Sequence, residues 1–378
     1  MTHAILLTVL LGCGAPGDHG GADGGLDGQV QGPSTGSGSP CTGPVTWTDV
    51  SSTQIAALGG APAQSYPGGV SGVVVNRETG AIAAHIVGFG LWRSADRGAT
   101  WARIDQLTLD ASGGRSENGW SIQVDQENPE RIAVFTLDGS AGYTADGVTW
   151  HRWAESGWGR NWDFGAVGWS ASNAQTVFGV LHETTPKNLY EVSTTGGGAW
   201  SAMTASNVAP MVGVVDATTL VATRTIGIER STDLGAHWSS VSSVTPSGHV
   251  AVRFAGTLYV TTPTGLLASH DQGQTWAPQG VGIQGLIMFQ GPFFGADAST
   301  MVVGVQDADN SFAATGSSIY KTTDRGATWN KVVDMPSVSG GFPISLSWYG
   351  SFAWDPTTDT YYASSMSNPL LRLDCSPG

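Results

Sequence analysis

Segment 154–163, Ala-Glu-Ser-Gly-Trp-Gly-Arg-Asn-Trp-Asp, holds the densest set of groups able to do chemistry. Trp158 and Trp162 offer flat apolar faces that can stack on sugar rings, and Arg160 and Asp163 offer hydrogen bonds beside them. The alternative for each tryptophan is a wedge between packed elements. Trp120, Trp348 and Tyr349 carry the same two readings. Further acids stand at Asp110, Glu117, Asp138, Glu183, Asp307, Asp309 and Asp334. Cleaving a glycoside takes two carboxyls held at a defined separation across one bond, and that separation is a property of the fold. Asp307-Ala-Asp309-Asn310 offers oxygen ligands of the kind calcium takes, but without the glycine and distal glutamate of an EF-hand loop, so no metal is assigned. His182 and Glu183 read as an adjacent loop pair. No Ser/His/Asp order, phosphate-cradling glycine loop or Cys/His metal spacing stands out, and no cofactor is implied.

The elements that position these groups are written in a repeat. Ser94-Ala-Asp96-Arg-Gly98-Ala-Thr100-Trp101 returns as TADGVTW over 144–150, with Asp146 and Trp150. It returns again as STTGGGAW ending at Trp200, as STDLGAHW with Asp233 and Trp238, as SHDQGQTW with Asp271 and Trp276, and as TTDRGATW with Asp324 and Trp329. Successive tryptophans stand 38 to 53 residues apart, a period that signals a propeller or solenoid. In each copy the Ser/Thr ends one strand and the Trp starts the next. Between them the Asp, lost in the copy ending at Trp200, accepts turn amides and the Gly supplies a left-handed residue.

The pattern S/T-x-D-x-G-x-T-W resembles the Asp-box, or BNR repeat, of sialidases, sortilin-type receptors, xyloglucanases and photosystem-assembly propellers. The resemblance covers about residues 41–378. It implies that the boxes are structural turns remote from the binding face. Sialidases of that family also carry an F/Y-R-I-P stretch and three arginines that clamp a carboxylate. The stretch is absent here, and Arg115, Arg160, Arg224 and Arg253, the arginines placed nearest the candidate face, lie in no matching motif. The first repeat, from Gly68-Gly69 to Gly90-Leu-Trp92-Arg93, resembles the opening of xyloglucanase propellers. Where those enzymes carry a catalytic acid, this chain has Ile86, Val87 and Gly88. The reading is therefore a non-catalytic recognition module for a glycan or protein ligand, with a glycoside hydrolase as the alternative.

The expected fold is an all-β, seven-bladed propeller of four-stranded sheets. Six blades carry a box. The seventh is composite: strands near 351–355, 360–364 and 370–374 lack a fourth, which the N-terminal strand beginning at Thr46-Trp47-Thr48 supplies, removing two sheet edges. Box turns and first-to-second strand loops then share one side. The crossings 51–69, 105–118, 154–163 and 334–347, with the loops 182–187 and 307–316, form the opposite, candidate binding side.

A net charge of −14 argues against nucleic acid and against docking on anionic lipid. The apolar run Ala4–Leu11 fits the core of a secretory signal, and Leu10-Leu11-Gly12-Cys13 resembles a bacterial lipobox with Cys13 as the lipidated residue. Residues 1–13 are thus expected to be a signal peptide, 14–40 a flexible tether and 41–378 the propeller, a monomer exported to the cell surface, outer membrane or exterior. Its contact with membrane is through the lipid anchor alone. Cys41 and Cys375 remain as an even pair, and the composite blade would bring them together as a disulfide. That bridge closes a loop of over 300 residues, for which chain entropy alone gives about 5 kcal/mol.

Overall fold

A computed structural model describes residues 30–31, 45–59, 68–105, 120–137, 141–154, 161–182, 190–203, 211–224, 226–248, 250–283, 286–307, 317–336, 344, 350–365 and 367–375; at 30, 31, 224, 289, 307 and 375 it describes the backbone alone. Seven antiparallel sheets of four strands form the blades of a propeller. The innermost strands of the first six are Val70–Val75, Ile122–Val124, Trp162–Trp169, Met211–Val214, Val252–Phe254 and Leu286–Phe294. Each of these blades then runs outward in chain order. The seventh is built from Gly350–Asp355, Thr360–Ser365 and Leu371–Cys375, with Val45–Asp49 as its outer strand. That outer strand pairs in register from Val45 against Cys375 to Asp49 against Leu371. The composite blade expected from the sequence is what the chain forms. Cys13, Cys41 and most of the leader and tether lie outside the described residues. Within the tether, Val30–Gln31 pairs in parallel with Gly282–Ile283, and the crossing after the outer strand contains a short helix, Ser52–Ala57. Neither was expected.

Among the described residues, seven buried apolar clusters fill the seven gaps between neighbouring blades. One joins Val74, Ala83 and Leu91 of the first blade to Ile122, Val134 and Trp150 of the second. Another joins Tyr362 and Ala353 of the seventh to Val73 and Ile82 of the first, which closes the ring. This is why the inner strands read as continuously apolar: both their faces are covered.

The boxes hold the outer turns. The third strand of each of the first six blades ends on the box hydroxyl residue: Ser94, Thr144, Ser193, Ser231, Ser269 or Thr322. The Ser94 hydroxyl accepts the Gly98 amide at 2.7 Å and donates to Asp96 at 2.7 Å. Asp96 in turn accepts the Thr100 amide at 2.8 Å and its hydroxyl at 2.5 Å. The copies at Asp233, Asp271 and Asp324 repeat the pattern. In the shortened copy, Asp146 accepts the amides of Val148 and Thr149. Where the acid is lost, the Thr195 hydroxyl takes its place and accepts the Ala199 amide at 2.8 Å. One left-handed residue was expected in each turn, yet the full-length boxes contain two in succession. Arg97 has φ 62° and Gly98 φ 88°. Arg97 is exposed and tolerates this, whereas a Cβ on Gly98 would stand 2.7 Å from Val50 Cβ on the seventh blade. The box tryptophans also differ in role. Trp101 and Trp329 donate their indole N–H to Val50 and Val281, outside their own boxes, while Trp238 and Trp276 donate back to Gly235 and Gly273 within their own.

Candidate functional site

Segment 154–163 enters the third blade, and its two ends have different fates. Trp158 and Arg160 lie outside the described residues. Trp162 opens the innermost strand and is only 1% exposed. It packs edge-on to Phe135 at 6.5 Å and against Trp200 at 5.5 Å. The stacking role expected for Trp162 is therefore corrected: it is an inter-blade wedge with no face open to a ligand. Asp163 follows it and is 7% exposed, its Oδ1 standing 2.7 Å from His182 Nδ1. The two meet because the first strand of this blade begins, and the second ends, on the loop side. His182 thus pairs with Asp163 across the sheet. Glu183, its expected partner, lies outside the described residues, as do Asp110, Glu117, Asp138, Asp309, Arg115, Trp348 and Tyr349. Asp334 is on the surface, bonded to Lys331 at 2.5 Å and Ser318 at 2.6 Å. Trp120 is half-buried and packs in the core between the third and fourth blades. At the position of the xyloglucanase-type acid, Ile86 and Val87 are buried apolar side chains.

An axial channel runs between the innermost strands and encloses about 260 Å³. Val73, Val124, Val167, Val214, Val252, Phe293 and Phe352, one from each blade, line it. Sequence reasoning missed it. The only signal was the run of small residues on the inner strands, Ala166, Gly168 and Gly213, and that signal has meaning only once seven strands surround one axis.

Toward the box side the channel meets a plate of ion pairs that ties distant blades together. Arg253 was expected near the loop face. It lies instead at the opposite end of its strand, before the hairpin turn at 255–256, because the inner strands run from the loop side to the box side. Its guanidinium pairs with Glu127 of the second blade at 3.4 Å and donates to the Val215 carbonyl of the fourth at 2.8 Å. Glu127 also accepts the Gly256 amide at 2.8 Å. Arg77 of the first blade donates to the Gln126 and Gly295 carbonyls and lies 5.1 Å over the Phe254 ring. Arg131 binds Asp125 at 2.9 Å and the Ser170 carbonyl at 3.0 Å. The two acids that line the channel are thus both held by arginines. Among the described residues, no group of three or more His, Cys, Asp or Glu side chains gathers as metal ligands would.

No protein-family model matches the sequence, and no curated protein does. Solved structures do. A GH74 xyloglucanase from Xanthomonas campestris aligns over 86% of this chain and 46% of its own, with 16% identity and a TM-score of 0.38. The GH74 enzyme of Niastella koreensis aligns over 82% of this chain and 53% of its own, with 17% identity and a TM-score of 0.48. YCF48 bound to D1 peptide aligns over 88% and 97%, with 13% identity and a TM-score of 0.46. The chain spans about half the length of the two GH74 enzymes. These are similarities of fold.

Proposed function

We propose that this protein is a recognition propeller, exported and held at a cell surface by a lipid on Cys13, that takes a glycan or protein ligand on the loop side through the segment around Trp158. Among the described residues, what supports a binding role over catalysis is the state of three carboxylates, two on the axial channel toward the box side and one at the loop-side end of the third blade. Asp125 and Glu127 are held by Arg131 and Arg253, and Asp163 by His182. Acids occupied in this way hold blades and loops. A glycosidase leaves two carboxyls facing one bond. Trp158 and Arg160, which precede Asp163 in the sequence, carry the groups for stacking and hydrogen bonding. The test compares wild type with Trp158→Ala on a glycan array and, in parallel, in capture of extracellular proteins. The expected result is a ligand bound by wild type and weakened by the substitution, with melting unchanged. A ligand bound equally well by both would remove segment 154–163 from the site.

A further inference from the structure

We infer that Asp163 and His182 form a pH-responsive tie at the loop-side end of the third blade, holding the start of its innermost strand more firmly when His182 is charged than when it is neutral. The tie is independent of the recognition reading above; its effect on a ligand held through segment 154–163 rests on that reading. Backbone geometry is the first ground. The register passes from Trp162 opposite Leu181 to Phe164 opposite Val180, so Asp163 is the extra residue of a bulge. A bulged residue is left out of the ladder, and bulges re-aim side chains. Here the Asp163 carboxylate stands 2.7 Å from His182 Nδ1, and that side-chain bond joins the two strands where the ladder is interrupted. Two backbone bonds flank it. The His182 amide donates to the Asn161 carbonyl at 2.8 Å, and the Trp162 amide to the Thr136 carbonyl of the second blade at 3.1 Å.

The chemistry of the pair is the second ground. Histidine changes charge between about pH 5 and 8, and a hydrogen bond between charged partners is roughly twice as strong as a neutral one. Neutral His182 still donates from Nδ1, so raising the pH weakens the tie without abolishing it. The extra strength is present on the acid side of the His182 titration and is lost as pH rises through it. Side-chain exposures of 19% for His182 and 8% for Asp163 leave the pair little screened by salt. The other histidine–carboxylate pair among the described residues, His237 with Asp233, is 89% and 42% exposed and closes only its own box turn. His85 and His270 bond instead to the hydroxyls of Ser71 and Thr257. Around His182, the third strand of the same blade brings Tyr190 and Glu191, and Met211–Val214 of the fourth blade brings no charged residue. Arg160 and Glu183 adjoin the pair in the sequence. Glu191 is buried and sits opposite Gly179, away from the bulge, which makes it the control.

The experiment is hydrogen–deuterium exchange of the full chain at about pH 5.5 and about pH 8, either side of the histidine range, corrected for the chemical exchange rate at each. It reads peptides covering 161–169 and 174–182. Wild type is expected to open several-fold more often at the higher pH in both peptides, with Met211–Val214 unchanged. Asp163→Asn and His182→Gln should each remove the pH dependence, leaving exchange at or above the wild-type level of the higher pH. Glu191→Gln should keep it. Equal corrected exchange in wild type at the two pH values, a pH dependence that survives in folded His182→Gln, or one lost in Glu191→Gln, overturns the inference. If neither tie variant folds, nitrogen-15 NMR of the His182 ring in wild type decides: its titration midpoint must coincide with that of the exchange step, and a midpoint elsewhere overturns the assignment. No ligand enters these measurements, so their failure is distinct from failure of the Trp158→Ala test.

Discussion

Replacing Trp162 by alanine removes an indole packed between Phe135 and Trp200 at 1% exposure, and the expected loss is about 3–5 kcal/mol, the range for large buried aromatics. Chemical denaturation measures it. A loss near zero would return Trp162 to the surface. The box acids make a second prediction. Hydrogen bonds from the Thr100 side chain and amide hold Asp96 at about 2, against an ordinary 3.8. The His237 and Thr275 side chains do the same for Asp233 and Asp271, each held at about 2. A carboxyl with a lowered folded pKa stabilises the fold fully above its unfolded value, and that contribution is lost as pH falls through the folded one. Melting temperature should therefore drop as pH falls from about 4 to about 2, and Asp96→Asn should lose less over that window than wild type. Equal losses would mean the box carboxylates do not couple to folding. At this scale the sequence was legible where bonds are local. Every box partner lies within four residues of its Asp. Asp163 and His182 are 19 residues apart and meet only because two strands share an end.

The blade is the unit that repetition makes visible, and here most of the fold could be read in advance. Six boxes fixed the third and fourth strands, and the unpaired strands at the two termini completed the seventh sheet. The tryptophans inside the boxes were less legible. All six occupy the same motif position, but Trp329 is fully buried while Trp238 and Trp276 are only partly so. Their burial depends on the neighbouring blade, which the motif does not encode. Trp329→Ala should accordingly cost about 3–5 kcal/mol, and Trp238→Ala less, in the same denaturation experiment. Trp238 and Trp276 also pack on inter-blade clusters, so equal costs would mean that depth of burial does not set what a box tryptophan contributes. The closing blade carries a further prediction. Cys375 pairs with Val45 across the closing sheet, and Cys41 lies just upstream of Val45 in the sequence. Non-reducing peptide mapping of the exported protein should recover these two cysteines in one cross-linked peptide. Two free thiols would rule out the closure bond.

At the scale of the whole molecule, the ring presents loops on one side, boxes on the other and a channel between. The channel was invisible in the sequence because no strand reveals which of its faces will look down an axis shared by seven. The Arg77, Glu127 and Arg253 plate was hidden for the same reason, since it joins turns from opposite blades. The proposed lipid attachment is tested on the full chain: palmitate labelling should mark the expressed protein, and Cys13→Ser should abolish the label. The central claim is recognition without turnover, and the most direct measurement is a multiple-turnover assay over a panel of fluorogenic glycosides, with the protein at known active concentration. The account predicts no release above background for any substrate, including glycosides of a sugar that the protein binds. Steady release of many equivalents per protein, abolished by replacing one carboxylate, would contradict it and make the protein a glycoside hydrolase.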